Sequence, residues 1–170
     1  MGSGADRRLF WATAAGVVVL DIVTKLVAVA TLARRPLELV GDYVVLRLVY
    51  NRGAAFGLDL GDASRWIFLG LALVALVVLG LMVRATRAGD KIRLLALALV
   101  CGGAFGNLID RLRSAQGVVD FIEVGIGRYR WPTFNVADSA ITVGAVALAI
   151  SLWLEGRAHE RAKEAGTAAP

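Results

Sequence analysis

Two aspartates, Asp120 and Asp138, stand where carboxylates are costly, each at the edge of a long apolar segment. They lie in the runs Gly117-Val118-Val119-Asp120-Phe121 and Phe134-Asn135-Val136-Ala137-Asp138-Ser139. If those segment ends face each other, the two carboxyl groups can meet. Such a pair does not readily ionise twice, so one member keeps a proton and the pair supplies both a base and an acid. The spacing alone also allows two solvated loop aspartates, one of them capping a helix. Asp138 is expected to be the more readily ionised, because a helix start offers free N–H groups and a favourable dipole to an anion. Asp120, between Val119 and Phe121, has an apolar setting that favours the neutral acid.

The rest of the inventory is thin. Cys101 is the single cysteine, inside an apolar run, and His159 the single histidine, in a charged tail. That rules out a disulfide framework, a cysteine or serine catalytic triad and a histidine-rich zinc site. Asp110, Asp120 and Asp138 together leave a magnesium-assisted enzyme open. Asp110 beside Arg111 reads more simply as a surface pair.

The elements that must position these groups are membrane spans. The 170 residues are 58% hydrophobic with a mean hydropathy of +0.67, against about 45–50% apolar in soluble domains. The net charge of +5 fits basic loops against anionic lipid; no basic run with interleaved aromatics suggests nucleic-acid binding. Four apolar stretches, about 9–32, 66–83, 92–109 and 137–154, are long enough to cross a bilayer. Ala28-Val29-Ala30 resembles a signal-peptide cleavage site, but a cleaved segment rarely carries an Asp and a Lys in its apolar core. Those two, Asp21 and Lys25, are four apart and share one helix face, where pairing avoids two isolated buried charges. Residues 155–170 read as a polar, frayed tail.

Between the first two spans, Glu38 to Tyr50 alternates as short strands with a turn at Gly41-Asp42. Open strands cannot sit in hydrocarbon, so these belong at the surface. Asn51-Arg52-Gly53-Ala54-Ala55-Phe56-Gly57 follows, small residues beside an amide able to donate and accept. Val118 to Ile122, in the second long connector, is strand-like, and Tyr129 and Trp131 suit an interface. Gly102, Gly103 and Gly106 suit close helix packing. Lys and Arg are equally numerous on the two sides, but denser on the shorter, terminal side, which favours cytoplasmic termini. A single domain with no internal repeat is expected.

Taken together, Asp21-x-x-x-Lys25, the Asn51 to Gly57 run, Gly106-Asn107-x-x-Asp110-Arg111, Val118-Val119-Asp120-Phe121 and Phe134-Asn135-x-Ala137-Asp138-Ser139 resemble lipoprotein signal peptidase, or signal peptidase II. The likeness runs from Asp21 to about Ala149, and the basic tail lies outside it. It implies a mainly α membrane protein, with four spans, a small extracytoplasmic β platform and a mobile loop over the site. It implies an aspartic endopeptidase that cuts diacylglyceryl-modified prolipoproteins just before the lipidated cysteine, in the bacterial inner membrane. By the same likeness Asp120 and Asp138 form the catalytic dyad. Asn51, Gly53, Asn107, Arg111, Asn135 and Ala137 line the site or hold substrate, and Asp21 and Lys25 support it. No metal or organic cofactor is implied. The expected partners are lipidated prolipoproteins and membrane lipids, with no nucleic acid and a monomeric chain, its site near the outer face. The rival is a small polytopic transporter or channel subunit using the same carboxylates as a proton relay.

Overall fold

The computed structural model describes residues 3–53 and 63–167. The order of elements is α1 (Gly4–Leu32), β1 (Leu37–Val40), β2 (Val44–Asn51), α2 (Ser64–Ala85), α3 (Lys91–Arg113), β3 (Val118–Ile126), β4 (Tyr129–Arg130) and α4 (Val136–Thr167). All four helices are long and apolar enough to cross a membrane. They differ in what they face. α2 is apolar all round, and Leu71, Val74, Val77 and Leu81 lie exposed, as residues turned toward lipid must. α3 is the central helix, packed on α1, α2 and α4, with Leu94, Ala96, Leu97 and Ala98 almost fully enclosed.

Small residues allow that enclosure. A Cβ at Gly102 would stand 2.8 Å from the Ala14 carbonyl of α1, and one at Gly103 2.8 Å from Ile141 of α4. A Cβ at Gly106 would stand 2.5 Å from the Asp21 carboxylate. Any larger residue at these three positions would push the helices apart just where polar side chains must meet.

The four strands form one antiparallel sheet in the order β1-β2-β3-β4. The turn expected at Gly41-Asp42 is present, with Gly41 in the left-handed region at φ 49°. The connector from 113 to 133 carries β3 and β4 and so supplies half of the sheet. Gly117, at φ 100°, makes the sharp entry to β3, and a Cβ there would collide with the backbone of Asn51. Glu123 lies between Arg47 of β2 and Arg130 of β4, each at 3.5 Å, so its charge is answered within the sheet.

The sheet lies at the end of the bundle where α1 and α3 finish and α4 begins. The opposite end is tied by other contacts. Asp6 accepts from the Gly89 N–H at 3.2 Å, joining α1 to the α2–α3 turn, and Arg93 of α3 meets Glu155 of α4. Residues 155–167 are not part of a frayed tail, contrary to expectation: α4 continues as helix to Thr167, and 168–170 lie outside the described residues. Glu155 is held by Arg93 and Arg87, Arg157 stacks over Trp153 at 5.0 Å, and the Ala, Arg, Glu and Lys that follow are good helix formers.

Candidate active site

Asp120 is the third residue of β3 and its position follows from strand register. Asn51 pairs with Val118 and Val49 with Asp120, so Asn51 and Asp120 are diagonal neighbours on one face of the sheet. The Asn51 Nδ2 donates to Asp120 Oδ2 at 3.0 Å. Asp138 is placed by a helix start. Asn135 caps α4, its Oδ1 accepting from the Asp138 N–H at 2.9 Å while Asp138 Oδ2 accepts from the Asn135 N–H at 3.2 Å. This reciprocal pair is a capping box built from Asn and Asp. Phe134 brings it to the sheet by exchanging backbone hydrogen bonds with Ile122 at 2.8 and 2.9 Å.

Two amides then join the carboxyl groups. Asn135 Nδ2 donates to Asp120 Oδ1 at 2.7 Å and lies 3.2 Å from Asn107 Oδ1. Asn107 Nδ2 donates to Asp138 Oδ1 at 2.7 Å. Both aspartates line one cavity of about 1000 Å³, together with Asn51, Gly53, Asn107 and Arg111. Trp131, Pro132, Thr133 and Phe134, the irregular stretch after β4, form another part of its wall, and Ile141, Thr142 and Val143 of α4 a third. Asp120 is almost wholly enclosed, at 1% exposure. Burial pushes its carboxyl up to about 6; the Asp138 charge adds to this, and hydrogen bonds from Asn51 and Asn135 oppose it.

The overall fold that frames this cavity resembles solved structures. A bacterial membrane enzyme solved by the in meso method at 2.3 Å superposes with a TM-score of 0.76 and 31% identity, over 86% of this chain and 88% of that one. A second, at 1.9 Å, gives 0.72 and 32%, over 84% and 91%. The lipoprotein signal peptidases of Cupriavidus taiwanensis and Cupriavidus pinatubonensis are 41% and 43% identical over 161 residues, 92% of this chain and 90% of theirs. That of Burkholderia mallei is 41% identical over 134 residues, 78% of this chain and 80% of its own. The family model described as signal peptidase (SPase) II matches residues 13–154. The chain belongs to the signal peptidase II family. A transporter is thereby not favoured.

The remaining residues that the family resemblance pointed to fall into two groups. Arg111 lies in the cavity wall, donating to the Asn107 and Gly53 carbonyls at 3.2 Å each and stacking over Phe68. Asp21, Lys25 and Ala137 are buried behind it. Asp21 forms an ion pair with Lys25 at 2.7 Å and accepts from the Ala137 N–H at 2.9 Å, so a side chain of α1 caps α4. Ala54 to Gly57, part of the run after Asn51, lie outside the described residues.

Asp110 is a correction. It is no surface partner of Arg111: its carboxylate meets Lys25 at 2.7 Å and accepts from the Val119 N–H at 3.2 Å. Asp110 and Arg111 point to different sides of α3, and the i to i+1 step along a helix separates rather than joins side chains. The signal that could have found this is three acidic or basic groups, Asp21, Lys25 and Asp110, in spans that otherwise carry few charges. Among the described residues no three His, Cys, Asp or Glu side chains come together to hold a metal ion. Asp110 turns to Lys25 instead of joining Asp120 and Asp138.

Proposed function

We propose that this chain is an endopeptidase of the aspartic type that removes the signal peptide from diacylglyceryl-modified prolipoproteins, cutting just before the lipidated cysteine. The observation that carries the reading is the bridge of Asn107 and Asn135 between Asp138 and Asp120, inside a cavity at the sheet end of a membrane bundle. The relatives named as lipoprotein signal peptidases supply the substrate class.

Asp120, held up to about 6, is the member that keeps the proton, and Asp138 is the base. Asp138 takes a proton from water, and the resulting hydroxide oxygen bonds to the scissile carbonyl carbon. Asp120 hydrogen-bonds the carbonyl oxygen as negative charge develops there. Collapse of this intermediate breaks the C–N bond, and the proton that Asp138 took from water passes to the departing amine, returning Asp138 to its ionised form. Arg111, Asn51 and Asn107 offer further donors to the developing charge. The wall of Ile141, Thr142 and Val143 belongs to a span, and Val143 is 59% exposed. A lipidated peptide enters there sideways, its acyl chains remaining in hydrocarbon. Both termini are cytoplasmic and the sheet and cavity face outward, where exported prolipoproteins present their cleavage site. The chain works as a monomer.

The test is purified protein mixed with a lipidated prolipoprotein and read by a gel shift. A smaller product whose new N-terminus is the lipid-modified cysteine is the expected result. Solute flux from reconstituted vesicles, without a cleaved product, would sink the reading.

A further inference from the structure

Lys25 has more partners than a helix-fastening pair needs. Its ammonium, with a side chain 4% exposed, meets Asp21 Oδ2 at 2.7 Å, Asp110 Oδ2 at 2.7 Å and Asn107 Oδ1 at 3.0 Å. It therefore meets two carboxylates and donates to one amide, on groups from two helices. It is absent from the cavity wall, so it does not touch substrate.

What its partners hold is specific. Asp21 grips the backbone N–H of Ala137, the residue before Asp138. Asp110 grips the backbone N–H of Val119, the residue before Asp120. One ammonium thus draws together two carboxylates, each anchoring the chain one residue short of a dyad member. The third partner works on orientation. An asparagine amide is nearly symmetrical in shape, but one end accepts and the other donates. With Lys25 against its oxygen, Asn107 turns its NH2 to Asp138. The opposite rotamer would set NH2 against an ammonium and oxygen against a carboxylate. The same Asn107 oxygen receives Asn135 Nδ2, which also serves Asp120.

We propose that Lys25 is the positioning residue of the dyad: it sets the separation of Asp120 and Asp138 through Asp21 and Asp110, and orients the amide bridge through Asn107. This rests on the dyad reading above and goes beyond helix support. A displacement near 1 Å from a group remote from the chemistry costs up to about a hundredfold in rate.

The experiment measures kcat and KM for cleavage of a lipidated prolipoprotein by the full-length protein in detergent, with melting temperatures alongside. Lys25→Met should lower kcat by about 10²-fold with KM within about threefold. In an Asn107→Ala background, Lys25→Met should lower kcat much less than in the native protein, because both act on one bridge. Asp110→Asn carries the test if Lys25→Met does not fold. It keeps the Asp21–Lys25 pair and an acceptor for Val119, and should still lose about tenfold or more in kcat. Folded Lys25→Met or Asp110→Asn with kcat within twofold of native would overturn the proposal. So would losses in kcat that multiply fully with Asn107→Ala. Asp120→Asn and Asp138→Asn, run in the same assay, report separately on the dyad: activity in either would remove that reading whatever Lys25 does.

Discussion

The two ends of the bundle use the same residue types to opposite ends. At the terminal end, Arg87, Arg93, Asp90 and Glu155 form ion pairs whose acidic members are 31% and 44% exposed. At the sheet end, Asp21, Lys25 and Asp120 are enclosed almost completely, at 0, 3 and 1%. Charges that water still reaches bind weakly and can be exchanged. Charges removed from water must each be answered, and losing one partner leaves an uncompensated ion. The difference lies in the surroundings: the first set fastens helices, and the second joins the elements that carry Asp120 and Asp138, where chemistry is proposed.

The largest effect should come from the carboxyl groups themselves. Asp120→Asn and Asp138→Asn are each expected to lower cleavage by about 10²–10⁴-fold or more, the range of general acid–base catalysis, while the protein still inserts and purifies. Near-normal turnover in either variant, read by the gel shift, would make the sheet end as merely structural as the terminal end.

Asp21→Ala comes next. It removes a partner of Lys25 and the cap on Ala137, both buried. The expected loss is about 3–5 kcal/mol of stability, seen as low yield and a lower melting temperature. A variant that melts normally yet does not cleave would assign Asp21 to positioning the dyad instead of holding the fold.

The strands were legible because Glu38 to Tyr50 and Val118 to Ile122 are rich in Val, Leu and Ile and lie beside turn residues. The spans were legible from length and apolar content alone. The two aspartates stood out because hydrocarbon leaves so few innocent reasons for a carboxylate. What composition did not convey was direction. Asp110 read as a partner of its neighbour Arg111, since a linear pattern puts adjacent charges together while a helix turns them about 100° apart. Likewise the helical extension past Leu154 is accompanied by a contact of Glu155 with Arg93, sixty-two positions away, which local composition does not convey. The bridge of Asn107 and Asn135 needs a bundle, a sheet register and a capping box at once, and no single stretch of sequence encodes it.

A smaller effect separates the ends by pH. Asp120 is pushed up to about 6 from an ordinary value of 3.8, so the folded protein binds this proton more tightly than the unfolded chain. The stability it contributes is complete below about 4 and is lost as pH rises through about 6. Asp120→Asn should therefore remove part of the fall in melting temperature between pH 4 and 7, whereas no such change should follow a substitution at the terminal end. In cleavage, loss of this proton places an alkaline limb near 6 in kcat/KM. The limb in kcat lies higher, because bound substrate excludes more water. An unchanged melting profile in Asp120→Asn would show that another group carries the shift.

The smallest effect belongs to Glu155→Ala. It breaks the contacts with Arg93 and Arg87 that hold α4 beyond the span, but Glu155 is 44% exposed and Arg87 83%. Water solvates Arg87 once the carboxylate is gone, Arg93 keeps Asp90 beside it, and pairs that water reaches contribute little. The expected outcome is a melting temperature close to native, increased exchange of amide hydrogens after Leu154, and unaltered cleavage. Local opening should rise there even though global melting does not. A large fall in melting temperature would mean that the terminal end is as tightly coupled as the sheet end. The contrast between water-facing and enclosed charge would then fail as an account of how this bundle divides its work.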